Sequence, residues 1–183
     1  MQSNSTTKSE KREGTWLTGV VILAFLLVFG IWATTYFSAD ARVRRATAEV
    51  VTLAEKPGEE SPVSLGLTAN RFGKFLSTGA VLELNEYGAL ATGRQEIVQL
   101  FAQIRTMVES MTFSNPEIVV VKAEDGVRMA RVEARYRFVV AGGSLSEGDG
   151  TAELVWSKGD DGWQISRAVL RLAEGATLPK EWK

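Results

Sequence analysis

The side chains that most often do chemistry are missing from this 183-residue chain: it has no cysteine and no histidine. Without histidine, hydrolytic triads and zinc centres of the usual kind are excluded; without cysteine, so are thiolate metal sites and structural disulfides. Carboxylates, Tyr136 and a set of arginines remain as candidates. Glu83 and Glu86 could supply a carboxylate whose pKa burial would raise, and Tyr136 is the only polar group on an otherwise apolar strand face. The plainer reading leaves both glutamates solvated at a strand edge and loop, with Tyr136 as a core residue. Asp149, Asp160 and Asp161 stand beside glycines but lack the alternating oxygen ligands of a calcium loop, so hairpin turns explain them. No metal and no cofactor is expected. Arg131, Arg135 and Arg137 point to one side of a strand, and Arg167 and Arg171 continue the row on a neighbour, offset by Glu133 and Glu153. Such a face could bind an acidic partner, pair two subunits through their sheets, or be solvated by cross-strand ion pairs.

The overall balance is nearly neutral, with 21 Lys plus Arg, 22 Asp plus Glu and a formal net charge of -1. A nucleic-acid partner is not implied, since that function shows as a strongly basic domain.

The elements that must position these groups begin with Trp16 to Phe37, a run with no charged side chain that is apolar on every face. As a helix it would reach roughly 33 Å, enough to cross a bilayer core of about 30 Å. The expectation is a polar disordered tail over 1–14, a transmembrane helix over 15–38, a soluble domain over 39–172 and a C-terminal tail over 173–183. Ala39-Asp40-Ala41 would suit a signal peptidase, but the apolar run is longer than a signal core, which favours a retained anchor. Basic residues balance across the run, Lys8, Lys11 and Arg12 before it and Arg42, Arg44 and Arg45 after it. The short tail then favours a cytoplasmic N-terminus with the domain on the exoplasmic side, periplasmic in a bacterium. Gly19, Gly30 and Thr34 share a small-residue face that would admit another membrane helix.

Beyond the anchor, Ala39 to Lys56 reads as an amphipathic helix with Val43, Ala46, Val50 and Leu53 on its apolar stripe. A second short helix carries Leu65, Ala69, Phe72, Phe75 and Leu76 and stops at Gly79. Ala80 to Leu84 is a strand and Glu86 to Ala91 a loop. Thr92-Gly93-Arg94-Gln95 has capping-box spacing and opens a helix whose apolar period runs from Ile97 through Phe101 to Met111. Asn115-Pro116 ends it, and the period changes to two: Ile118 to Ala123, Val127 to Ala141, Thr151 to Ser157 and Trp163 to Leu172 read as strands. The order predicts an α+β domain, an antiparallel sheet curved over about three helices.

Ala80-Val81-Leu82-Glu83-Leu84, then Thr92-Gly93-Arg94-Gln95-Glu96-Ile97, then hairpins ending in Gly162-Trp163-Gln164-Ile165, resemble the nuclear transport factor 2 superfamily. The G-R-x-x-I helix start and the terminal W-x-I strand are similar to its SnoaL-like members. The resemblance implies a cone enclosing a pocket, and Glu83, Phe101, Tyr136, Phe138 and Trp156 are the residues expected to line it. Catalytic members place a His/Asp or Asp/Tyr pair there, from which this sequence departs. A membrane span followed by this fold is also similar in layout to assembly components of type IV secretion systems and to accessory proteins of mycobacterial lipid transporters. The expectation is a membrane-anchored, non-catalytic accessory or assembly subunit, with the bilayer, a membrane complex and a homodimer through the sheet face as partners. The alternative is a SnoaL-like isomerase or cyclase, or a binder of a small apolar ligand or lipid.

Overall fold

The computed structural model describes residues 22–26, 29, 38–85 and 87–172. The chain divides into two compact units at Arg42/Val43. In the N-terminal unit, residues 22–26 and Phe29 are helical, and among the described residues no helix is long and apolar enough to cross a membrane. The rest of the expected span, with Gly19, Gly30 and Thr34, lies outside the described residues, as do both tails and Glu86.

The second unit is α+β. Helices α1 (Ala39–Ala54) and α2 (Pro62–Gly73) lead into strands β1 (Leu76–Leu84) and β2 (Gly88–Thr92), then helix α3 (Arg94–Met107). Four long strands follow: β3 (Val108–Glu124), β4 (Val127–Val140), β5 (Leu145–Gly159) and β6 (Gly162–Leu172). They form one six-stranded sheet in the order β2-β1-β6-β5-β4-β3, antiparallel except where β1 runs parallel to β6.

Local chemistry accounts for the helix starts. The Ser38 hydroxyl accepts from the Ala41 N–H at 3.1 Å to open α1, and the Ser61 hydroxyl accepts from the Ser64 N–H at 3.2 Å with Pro62 in the first turn of α2. At α3 the cap falls one residue later than expected. Gly93, with φ of 91°, is the N-cap, and Glu96 rather than Gln95 reaches back to accept from the Thr92 N–H at 2.9 Å. That positive φ suits glycine, while the Gly93 N–H donates to Ala80 O at 2.7 Å and ties the helix start to β1.

Several expected boundaries are corrected. The Gly88–Thr92 segment is a strand, not a loop, because its backbone pairs with Val81–Leu84 of β1. Phe75 and Leu76 belong after α2, whose last turn closes at Gly73, and Leu76 already lies in β1. Helix α3 stops at Met107: Val108 turns extended, and Met111 pairs with Phe138 in the sheet. Asn115-Pro116 does not end an element but forms a bulge within β3, where Asn115 takes φ of 50° and the pairing slips between Ser114 and Glu117. Strand β5 starts six residues before the expected Thr151, at Leu145.

The core gathers on the inner face of the sheet. Val43 and Val50 of α1, Leu76 and Ala80 of β1, Ile97 of α3, Ala130, Leu154, Trp156 and Ile165 form one buried cluster. Helices α2 and α3 approach closely at Gly73, where an added Cβ would stand 3.0 Å from Val98 Cγ2.

Candidate ligand site

The strand period sorts the sheet into two faces with different chemistry. On the inner face β4 contributes Ala130, Val132, Ala134, Tyr136 and Phe138, which stand opposite Leu154, Ala152, Gly150, Gly148 and Ser146 of β5. Bulk therefore runs down β5: Trp156 and Leu154 at one end, Gly150, Gly148 and Ser146 at the other. The Tyr136 ring occupies the space that Gly150 leaves, where a Cβ would stand 3.1 Å from Tyr136 Cδ1.

The expected pocket residues are spread over the sheet and helices. Trp156, opposite Arg128, is eight strand positions from Tyr136, about 26 Å along β4. Trp156 packs edge-on against Phe75 at 6.2 Å; Phe101 stacks on Phe72 at 4.3 Å between α3 and α2; Tyr136 stacks on Phe138 at 4.9 Å, with Phe113 edge-on to Phe138 at 6.1 Å. Glu83 is withdrawn from the interior altogether. It lies on the outer face and takes a bidentate pair from Arg167, 3.1 Å from Nε and 2.6 Å from Nη2. That hydrogen bond and charge hold the Arg167 guanidinium above its ordinary pKa. Tyr136 and Phe138 share one neighbourhood, and sequence reasoning missed Phe113 and Gly150, which complete it.

Polar groups without partners mark the interior. The Tyr136 hydroxyl, the Thr47 hydroxyl and the Trp156 indole N–H are buried without a hydrogen-bond partner, and Tyr136 and Thr47 are 3% and 0% exposed. Buried polar atoms are nearly always paired, so an orphan points to a water or a ligand that completes it. Thr47 follows Val43 by four positions and precedes Val50 by three, which places it on the apolar stripe of α1. A hydroxyl on that stripe was the available sequence signal. Each of the three can donate, so whatever completes it would present an acceptor.

The buried cations are already engaged. Arg105 donates from Nε to Glu60 Oε2 at 2.9 Å and from Nη1 to the carbonyls of Leu53 and Glu55 at 2.9 Å and of Ala54 at 3.3 Å. Lys56 Nζ donates to Arg105 O at 2.8 Å and Val108 O at 2.6 Å. Burial pushes the Glu60 carboxyl up, but the hydrogen bond and charge of Arg105, with the hydroxyls of Thr68 and Ser64, outweigh it and hold the group below its ordinary pKa. These groups join the ends of α1 and α3 and are structural.

On the outer face the arginines are balanced by carboxylates. Arg131 meets Glu133 at 2.8 Å, Arg135 meets Glu147 at 3.9 Å and Arg171 meets Glu153 at 3.1 Å. Among the described residues no group of three or more carboxylates is placed to hold a metal ion; Asp149 stands opposite Arg135, and Asp160 and Asp161 lie in the β5–β6 turn.

No family model and no curated protein sequence matches the chain. Solved structures do match in fold. A protein from Novosphingobium aromaticivorans described as NTF2-like with a cystatin-like fold aligns at 14% identity and a TM-score of 0.56, covering 83% of this chain and 94% of its own. A ketosteroid isomerase-like protein from Erwinia carotovora atroseptica aligns at 18% identity and 0.56, covering 75% and 98%. A candidate scytalone dehydratase from Novosphingobium aromaticivorans aligns at 14% identity and 0.57, covering 72% and 81%. At such identities the likeness is one of backbone: the curved sheet and its helices have the NTF2-like, cystatin-like fold.

Proposed function

We propose that the domain binds a small, neutral, mostly apolar molecule carrying an oxygen acceptor, held between the helices and the inner face of the sheet. The carrying observation is the Tyr136 hydroxyl, buried without a partner beside a strand whose inward positions are glycine. An acceptor oxygen on the ligand would satisfy it, and the surrounding Phe113 and Phe138 rings would cover the apolar remainder. The phenol could then polarise a carbonyl, the step an isomerase- or dehydratase-type reaction would ask of it. Likeness in fold to proteins named for such reactions supports this reading. The charge-free run from Trp16 to Phe37 is proposed to hold the domain at a membrane, from which an apolar ligand could be drawn.

A second reading is the non-catalytic accessory subunit of a membrane complex, docked through the outer sheet face. Exposed Val121 and Met129, side by side on that face, favour it. Arg135→Glu with Arg137→Glu would then release a stoichiometric partner.

The ligand reading is tested by native mass spectrometry of the gently extracted full chain. A small-molecule adduct on the 20.0 kDa chain is expected, with occupancy weakened about fivefold to tenfold in Tyr136→Phe, the worth of one hydrogen bond. Bare protein under every mild extraction, or an adduct indifferent to Tyr136→Phe, would contradict it.

A further inference from the structure

Strand β3 closes one end of the sheet, and among the described residues its outer edge is engaged at its start alone, by Lys56 at Val108 and Met111 and by Glu55 at Phe113. The pattern of that edge can be read from two hydrogen bonds. The Met111 N–H donates to Lys56 O and the Phe113 N–H to Glu55 Oε1, so both amides point away from β4. These two residues stand opposite Phe138 and Tyr136, even-numbered positions of β4. Strand β4 keeps its alternation without a break, as its unshifted pairing with β5 shows. Beyond the bulge, Ile118, Val120 and Lys122 stand opposite Val132, Ala130 and Arg128, again even-numbered positions. Their N–H and C=O groups therefore face the open edge. On the outer face of the same segment Val119 and Val121 are 46% and 57% exposed.

An open edge with exposed β-branched side chains is a template for another strand, and this one is self-complementary. We propose that two copies of the chain pair antiparallel through β3 about a two-fold axis at Val120, joining their sheets edge to edge. In that register Val120 faces its own counterpart and Ile118 faces Lys122 of the second copy, with about six backbone hydrogen bonds between them. Val119 then covers Val121 of the second copy on the outer face, and the reciprocal pair closes the other half. Shifting the pairing toward the chain start sets Val121 against Glu117 or brings Pro116, which has no N–H, opposite an edge donor. The contact uses the edge of the sheet and leaves the arginine face and the interior free.

Because the chain has no cysteine, a single introduced thiol reads the register. The full chain in mild detergent should sediment at about 40 kDa of protein, twice its 20.0 kDa, as a dimer. Val120→Cys should oxidise to a linked dimer, its Cα atoms about 5.5 Å apart. Ile118→Cys should not link, since its mate would lie about 13 Å along the strand. Val120→Pro should weaken self-association at least about tenfold. A 20.0 kDa monomer at all concentrations, equal linking of both cysteines, or a dimer that persists in folded Val120→Pro would overturn the proposal.

Discussion

Lys56 and Arg105 cap each other's helices. Arg105, near the end of α3, donates to the last carbonyls of α1, and Lys56, just past the end of α1, donates to Arg105 O and Val108 O at the end of α3. Each cation thereby answers the exposed carbonyls and negative dipole end of the other's helix. Lys56 also pairs its backbone with Met111, so the same joint fixes the start of β3 and the strand neighbourhood of Tyr136.

Arg105→Met should therefore destabilise the domain by about 2–4 kcal/mol at neutral pH, because it leaves the half-buried Glu60 carboxylate with only the Ser64 and Thr68 hydroxyls and uncaps α1. Lys56→Met should cost about 1–3 kcal/mol, the penalty for unsatisfied carbonyls. Urea denaturation of the two variants checks the order; equal, negligible losses would mean the joint carries no energy.

Stability should fall in acid through Glu60. Its folded pKa lies below the ordinary 4.5, so its contribution is complete above about pH 4.5 and is lost as pH falls through the folded value. Glu60→Gln should be less stable than the parent at pH 7, and the gap should narrow toward pH 3. A gap independent of pH would show that the ion pair does not govern the effect.

Tyr136 and Gly150 should be energetically coupled. Gly150→Ala places a methyl 3.1 Å from the Tyr136 ring and should cost about 1–3 kcal/mol, since overpacking moves the ring or the strand. In a Tyr136→Ala background the same change should be near neutral or stabilising. Additive losses would place the ring elsewhere.

The outer arginines should matter little to folding. Arg131→Gln and Arg171→Gln remove pairs at 54% and 48% side-chain exposure and should each change stability by less than about 1 kcal/mol. Larger losses in thermal unfolding would mean the face is held by more than solvated pairs.

Fold class was legible because period is legible: the stripe from Val43 to Leu53 and the alternation from Ala130 to Val140 each admit one kind of element. Val108 and Met111 misled because three-residue spacing suits a helix, while their places are set by pairing with Val140 and Phe138 far along the chain. Gly88–Thr92 carries too little bulk to show alternation and is a strand only because β1 lies beside it. The site was less legible still. Glu83 is claimed by Arg167, a residue far along the chain that local sequence does not connect to it. The joint of Lys56, Glu60 and Arg105 left no local trace, since each residue looks like an ordinary surface charge in sequence.

The most direct test of the ligand account is electron density around Tyr136 Oη in crystals of the protein diffracting to about 2 Å. The account predicts a bound organic molecule with an acceptor about 2.5–3.0 Å from that hydroxyl, and ordered water alone there would contradict it. Protein side chains closing over the ring, with Oη donating to a backbone carbonyl, would contradict it.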